Sequence, residues 1–158
     1  MKKQKIHFVG IKGTNMTPLA IIAKEAGFIV TGSDIDQEFI TDAALKEVGI
    51  IPQVGFFSDH ISDQTLVITT GAHGGFENAE VVAAKSKSIP VMSAGEATGE
   101  FMRGTLLKKN FVGISVAGTH GKTTTTAMIA TLFAENRFDP SYIVCTGNVG
   151  SLGLPGHL

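Results

Sequence analysis

Short β-branched and apolar runs alternate with longer stretches whose apolar residues recur at helical spacing. The short runs predict strands at 6–10, 28–32, 50–54, 65–69, 90–92, 111–116 and 142–145. The longer stretches predict helices at 16–26, 41–48, 78–86, 95–102 and 123–136. Strands separated by helices predict an α/β fold: a Rossmann-like parallel sheet with helices on both faces and right-handed crossovers. The charged, glycine-containing stretch RGTLLKKN at 103–110 separates two glycine-loop units. The pattern predicts one domain over 1–104 and a second unit over 105–158. The second unit holds only a strand, a loop, a helix and a further strand. Some fifty residues of α/β structure bury too little apolar surface to stand alone. The unit therefore reads as the first part of a larger P-loop ATP-binding domain, and the chain as a portion of a longer polypeptide.

Residues 116–126 read VAGTHGKTTTT, between the run FVGISV and a helical stretch. Strand, glycine turn with lysine, hydroxyl and helix is the layout of a nucleotide-phosphate cradle. Gly118 and Gly121 let the backbone curl and aim N–H groups at one point. Lys122 adds a mobile positive charge, and Thr123 offers a hydroxyl to a phosphate-bound Mg²⁺. The following helix adds the positive end of its dipole. Val116 stands where the general Walker pattern has its first glycine, so GTHGKT is the core of a shorter variant. The ligand class this predicts is ATP or GTP.

A second glycine turn follows the first strand, in GIKGTNM. Gly10 and Gly13 turn the chain into the next helix, again with a helix N-terminus facing an anion. Lys12 and Asn15 break the dinucleotide pattern G-x-G-x-x-G. Ser33 and Asp34 fall about twenty residues beyond the loop, where such folds contact a ribose or base. A diphosphate-linked nucleoside fits both features; a tight βα turn with no ligand is the alternative.

Composition narrows the partners. The chain has 158 residues, 43% hydrophobic, with a net charge of −1, so it is globular and carries no basic face for nucleic acid. No apolar run is long enough to cross a bilayer. The start MKKQKIHFVG runs directly into a strand, without the features of a signal peptide. Cys145 is the single cysteine, so no internal disulfide forms, which fits a cytoplasmic location.

Five strings together resemble the Mur ligase family, ATP-dependent enzymes that add amino acids to UDP-N-acetylmuramate in peptidoglycan synthesis. They are HFVGIKGTNM, VTGSD, NAEVVAAK, IPVMSAGEATGEFMR and VAGTHGKTTTTAMIA. Their order resembles the branch that adds L-alanine, which also includes the murein peptide ligase that attaches a recycled tripeptide. The resemblance implies that Gly10, Gly13, Thr14, Asn15 and Met16 hold the UDP-sugar diphosphate. Ser33 and Asp34 match the strand end near the uridine, and Thr70 and His73 a loop facing the sugar-nucleotide. Gly118, Thr119, His120, Gly121, Lys122, Thr123 and Thr124 match the ATP phosphate loop, with Thr123 beside Mg²⁺; Lys122 and Thr123 take the catalytic roles and His120 none.

The implied reaction is amide formation: ATP phosphorylates the muramoyl carboxylate, and an amine attacks the acyl phosphate. The family's Mg²⁺-binding glutamate, carbamylated lysine and third domain would lie beyond Leu158, so this chain alone is not expected to complete the reaction. Lys12, Thr14 and Asn15 make the first loop bulkier than in alanine-adding members, Gly55-Phe56 replaces the family's Gly-His, and Asn78-Ala79-Glu80 its Asn-Pro-Glu. Two other readings stay open: a nicotinamide oxidoreductase, and a non-catalytic UDP-sugar-binding module. An unpaired sheet edge and an apolar helix face in the second unit predict a homodimer or larger species. His7, His60 and His157 read as ordinary strand or surface residues, Cys145 as a buried small hydrophobe, and Met92, Met102 and Met128 as core filler. Glu96 and Glu100 after Ser93 read as a capped, solvated helix turn.

Overall fold

Residue alternation in the first strand already divides the molecule into two layers. In the computed structural model, which describes residues 4–158, β1 (Lys5–Val9) sends Ile6 and Phe8 to one face and His7 and Val9 to the other. Around it lie α1 (Met16–Glu25), β2 (Ile29–Asp34), α2 (Asp42–Glu47), β3 (Gln53–Val54), β4 (Leu66–Thr69), α3 (Ala79–Ser86), β5 (Val91–Ser93) and α4 (Ala94–Arg103). The five strands form one parallel sheet in the order β3-β2-β1-β4-β5. This is the expected Rossmann-like arrangement. The chain crosses from β2 and β3 back over β1 to β4, so the strand order reverses beside β1.

Both faces are covered. On one, Ile6, Phe8, Leu66 and Ile68 pack against Met16, Leu19 and Ala20 of α1, Leu45 of α2, and Ala97 and Phe101 of α4. On the other, Val9 and Val67 pack against Val81, Ala83 and Ala84 of α3. Each large side chain buried this way contributes about 1.5–3 kcal/mol. α4 starts with a capping box: the Ser93 hydroxyl accepts the N–H of Glu96, and the Glu96 carboxylate accepts the N–H of Ser93 at 2.8 Å.

The later residues differ from expectation. α5 (Lys122–Glu135) follows the glycine turn, but 111–116 forms no strand, and Val112 is 98% exposed. β-Branched residues favour a pleated backbone only where a neighbouring strand completes the ladder, and no described strand lies beside this run. The expected strand at 142–145 is short, β6 (Tyr142–Ile143), and pairs antiparallel with β7 (Gly156–His157) instead of joining a parallel sheet. Met128 is 67% exposed on α5, not core filler. Cys145 is exposed at a bend because β6 ends before it, with Sγ 3.8 Å from Asn15 Oδ1. The 142–158 tail packs along α1: Gly156 lies against Pro18, and the Leu158 N–H donates to Glu25 at 2.7 Å.

Candidate functional site

The loops after β1 and β4 meet at the carboxyl end of the sheet, where the strand order reverses. Open α/β sheets bind ligands in this crevice. Gly10 makes the approach possible. Its φ is +78°, and a Cβ there would lie 2.6 Å from Thr70 Cγ2. His73, also at positive φ, brings its ring to the same spot, with Nε2 3.7 Å from Asp34 Oδ1. The structure thus brings Gly10, Gly13, Thr14, Asn15, Thr70 and His73 together.

Hydrogen bonds hold the first loop in shape. The Ser33 carbonyl accepts the N–H groups of Gly10 and Ile11, Asp34 Oδ2 accepts that of Lys12 at 2.7 Å, and the Gly10 carbonyl accepts that of Gly13. The Thr17 hydroxyl donates to the Ile11 carbonyl at 2.8 Å. Among the described residues the N–H groups of Thr14 and Asn15 have no partner, and they stand at the start of α1. Two free N–H groups at a helix N-terminus between two glycine-bearing loops suit a phosphate or diphosphate. Lys12 does not fill this space. Its ammonium turns outward to the Gln37 carbonyl at 2.8 Å and to Asp42 at 3.6 Å.

Three expected contact residues are committed elsewhere. Met16 opens α1 on its sheet-facing side, so its side chain is buried in the core and its N–H is bonded to the Gly13 carbonyl. The Ser33 side chain points into the opposite layer, where its hydroxyl donates to Glu80 Oε2 at 2.5 Å. The Asp34 carboxylate is 1% exposed and holds the N–H groups of Lys12 and Ile35. Met16 and Ser33 shape the loop from the two core layers, while Asp34 joins it directly, its Oδ1 also lying 3.7 Å from His73 Nε2.

Sequence reasoning missed the group that Ser33 joins. Glu80 is fully buried on α3, with His60 Nδ1 at 2.6 Å from Oε1 and His7 Nε2 at 3.4 Å from Oε2. His7 Nδ1 meets the Thr31 hydroxyl at 2.9 Å, while its buried Nε2 forms no hydrogen bond among the described residues, so its pull on Glu80 is that of a nearby dipole or charge. Burial alone would raise the Glu80 pKa; His7, the Ser33 hydroxyl and His60 outweigh it and hold the carboxyl below the ordinary glutamate value. A signal for this group exists in the sequence. His7 shares a strand face with Val9, and Glu80 a helix face with Ala83 and Ala84, so both polar residues fall at core-facing positions.

The second candidate site is open. Residues 117–125 are exposed, including Gly118, Thr119, His120, Gly121, Lys122, Thr123 and Thr124. Gly121 has φ +76° and precedes α5, whose first bond runs from the Thr125 N–H to the Gly121 carbonyl. The preceding N–H groups of Lys122, Thr123 and Thr124 are left at the helix start, as an anion site requires. Lys122 Nζ curls back onto the Gly118 carbonyl at 2.7 Å and the Thr119 carbonyl at 3.3 Å. The glycine turn, the lysine and the N–H groups at the helix start are of the types that suit a phosphate chain. Among the described residues no three His, Cys, Asp or Glu side chains cluster to hold a metal, and no helix is long and apolar enough to cross a membrane.

Comparison with known proteins gives the family. Residues 5–105 match the model of the Mur ligase family, catalytic domain. The chain is 36% identical over 155 residues to a UDP-N-acetylmuramate–L-alanine ligase of Bordetella avium, covering 98% of this chain and 31% of that protein. It is 43% identical over 150 residues to the enzyme of the same name in Desulfitobacterium hafniense, covering 94% and 31%. Among solved structures it superposes on UDP-N-acetylmuramate-alanine ligase from Thermotoga maritima with a TM-score of 0.79 at 34% identity, over 96% of this chain and 34% of that one. The UDP-N-acetylmuramate:L-alanyl-gamma-D-glutamyl-meso-diaminopimelate ligase of Neisseria meningitides gives 0.77 at 31% identity, over 99% and 47%. The chain spans about a third of the length of the curated relatives it matches. On the family match over residues 5–105, the chain belongs to the Mur ligase family.

Proposed function

We propose that this chain supplies the UDP-sugar-binding domain and the ATP phosphate loop of a ligase that joins L-alanine to UDP-N-acetylmuramate. The observation that carries the reading is the pair of N–H groups, Thr14 and Asn15, left without a partner among the described residues at the start of α1, in the loop that follows β1 where the strand order reverses. In this reading the first loop holds the diphosphate, while Thr70 and His73 line the sugar side. Gly118, Gly121, Lys122 and the first turn of α5 hold the ATP phosphates, and Thr123 offers its hydroxyl to Mg²⁺. ATP with Mg²⁺ supplies the phosphoryl group that activates the sugar carboxylate. The protein offsets the charge that accumulates there with Lys122 and oriented N–H groups. The sheet domain holds the carboxylate in place, a positioning effect.

A tripeptide acceptor is the second reading, favoured by the loop string GTNM and the likeness to the ligase of Neisseria meningitides. Phosphate release by the longest natural protein containing this chain decides between them. The test supplies ATP, Mg²⁺ and UDP-N-acetylmuramate, with either L-alanine or L-alanyl-γ-D-glutamyl-meso-diaminopimelate. Release that depends on the sugar nucleotide and on L-alanine supports the first reading; release only with the tripeptide supports the second. No release with either acceptor refutes both.

A further inference from the structure

The first turn of α3 lies behind the sugar-nucleotide loops and reaches both. Glu80 Oε2 accepts the Ser33 hydroxyl at 2.5 Å, and Oε1 stands 2.6 Å from His60 Nδ1. The Ser33 carbonyl in turn accepts the N–H groups of Gly10 at 2.9 Å and Ile11 at 3.1 Å. Ser33 therefore ties Glu80 with one group and the start of the loop with the other. A parallel branch leaves the same helix turn. Asn78 accepts the Glu80 N–H at 2.9 Å and donates through Nδ2 to the His73 carbonyl, also at 2.9 Å. Glu80 and Asn78 thus stand behind the two walls of one crevice.

We propose that Glu80 is a positioning residue for the UDP-sugar loop. Through Ser33 it fixes the end of β2 and, with it, the direction of the Thr14 and Asn15 N–H groups. Glu80 is fully buried, so it touches no ligand. A buried carboxylate is costly unless each oxygen is bonded, and here each oxygen has a donor. An ionised carboxylate accepts at both oxygens at once, whereas a glutamine accepts at only one. Glu80→Gln keeps the volume but faces either Ser33 or His60 with a donor. Ser33→Ala cuts the link and leaves α3 and His60 in place. The proposal rests on the sugar-nucleotide reading of this loop.

The test uses the 158-residue chain, comparing wild type, Glu80→Gln and Ser33→Ala. Site-resolved amide exchange reads the loop, and calorimetry reads UDP-N-acetylmuramate binding. In both variants the amides of Gly10 and Ile11 are expected to exchange about tenfold faster while those of Phe8 and Ile68 keep their wild-type rates. Affinity is expected to fall by about tenfold, the loss of roughly one good hydrogen bond. Unchanged exchange at Gly10 and Ile11 overturns the proposal. Uniform acceleration across β1 and β4 overturns it too, since that marks a general stability role. Faster loop exchange with wild-type affinity overturns the ligand half. Absence of binding by wild type refutes the sugar-nucleotide reading itself, and the exchange data still decide whether Glu80 sets the loop.

Discussion

Gly10 is the residue on which the crevice closes. At φ +78° with Thr70 Cγ2 at 2.6 Å from a Cβ position, a side chain there is strained and displaces the Thr70 methyl. Gly10→Ala is expected to destabilise the chain by about 1–3 kcal/mol, read from urea unfolding, since strain and a clash add. An unchanged midpoint would show that the two loops do not meet as described. Glu80 has a pH signature. Its carboxyl is held below the ordinary glutamate value, so its contribution is full above that value and is lost as pH falls through the lowered one. The wild-type chain is expected to lose stability faster than Glu80→Gln as pH drops below about 4.3. Parallel pH profiles for the two proteins would remove Glu80 from that role. Both glycine turns and the lysine loop were legible in the sequence because glycine spacing reports backbone geometry directly. The inward commitment of Met16, Ser33 and Asp34 was not. It depends on which layer each side chain enters, a matter of one residue of phase in a strand or helix.

Among the elements, the sheet and its helices were readable because period-two and helical patterns are strong in residues 5–103. α4 shows the same agreement at its start, where Ser93 and Glu96 form the box that their spacing announces. Ser93→Ala is expected to cost about 1 kcal/mol and to lower the thermal midpoint, measured by circular dichroism. No change would mean that the box adds nothing to the packing of Ala97 and Phe101. The run at 111–116 was misread for a physical reason: its composition favours a strand, but a strand is a property of two segments. The strand expected at 142–145 exists in shortened form as β6, but its antiparallel pairing with β7 and the contact of the tail with α1 are tertiary choices with no local signature.

At the scale of the whole molecule, large apolar side chains stay exposed in the later residues as well as on the sheet domain. Val112, Ile114, Met128, Leu132 and Phe138 are between 59% and 98% exposed. Surfaces of this kind favour association. The chain on its own is expected to form dimers or larger species, read as molar mass by light scattering at rising concentration. A constant monomer mass would rule this out. The two candidate anion sites sit on separate glycine turns, one opening α1 and the other opening α5. They are therefore expected to act as independent binding units whose ligands can be titrated separately.

Calorimetry of the chain, in wild type and in Lys122→Ala, with UDP-N-acetylmuramate and MgATP titrated in turn, tests this most directly. Saturable heat with both ligands in wild type, and loss of the MgATP signal alone in Lys122→Ala, is the predicted result. No heat with either ligand, or loss of both signals in the variant, would contradict the account.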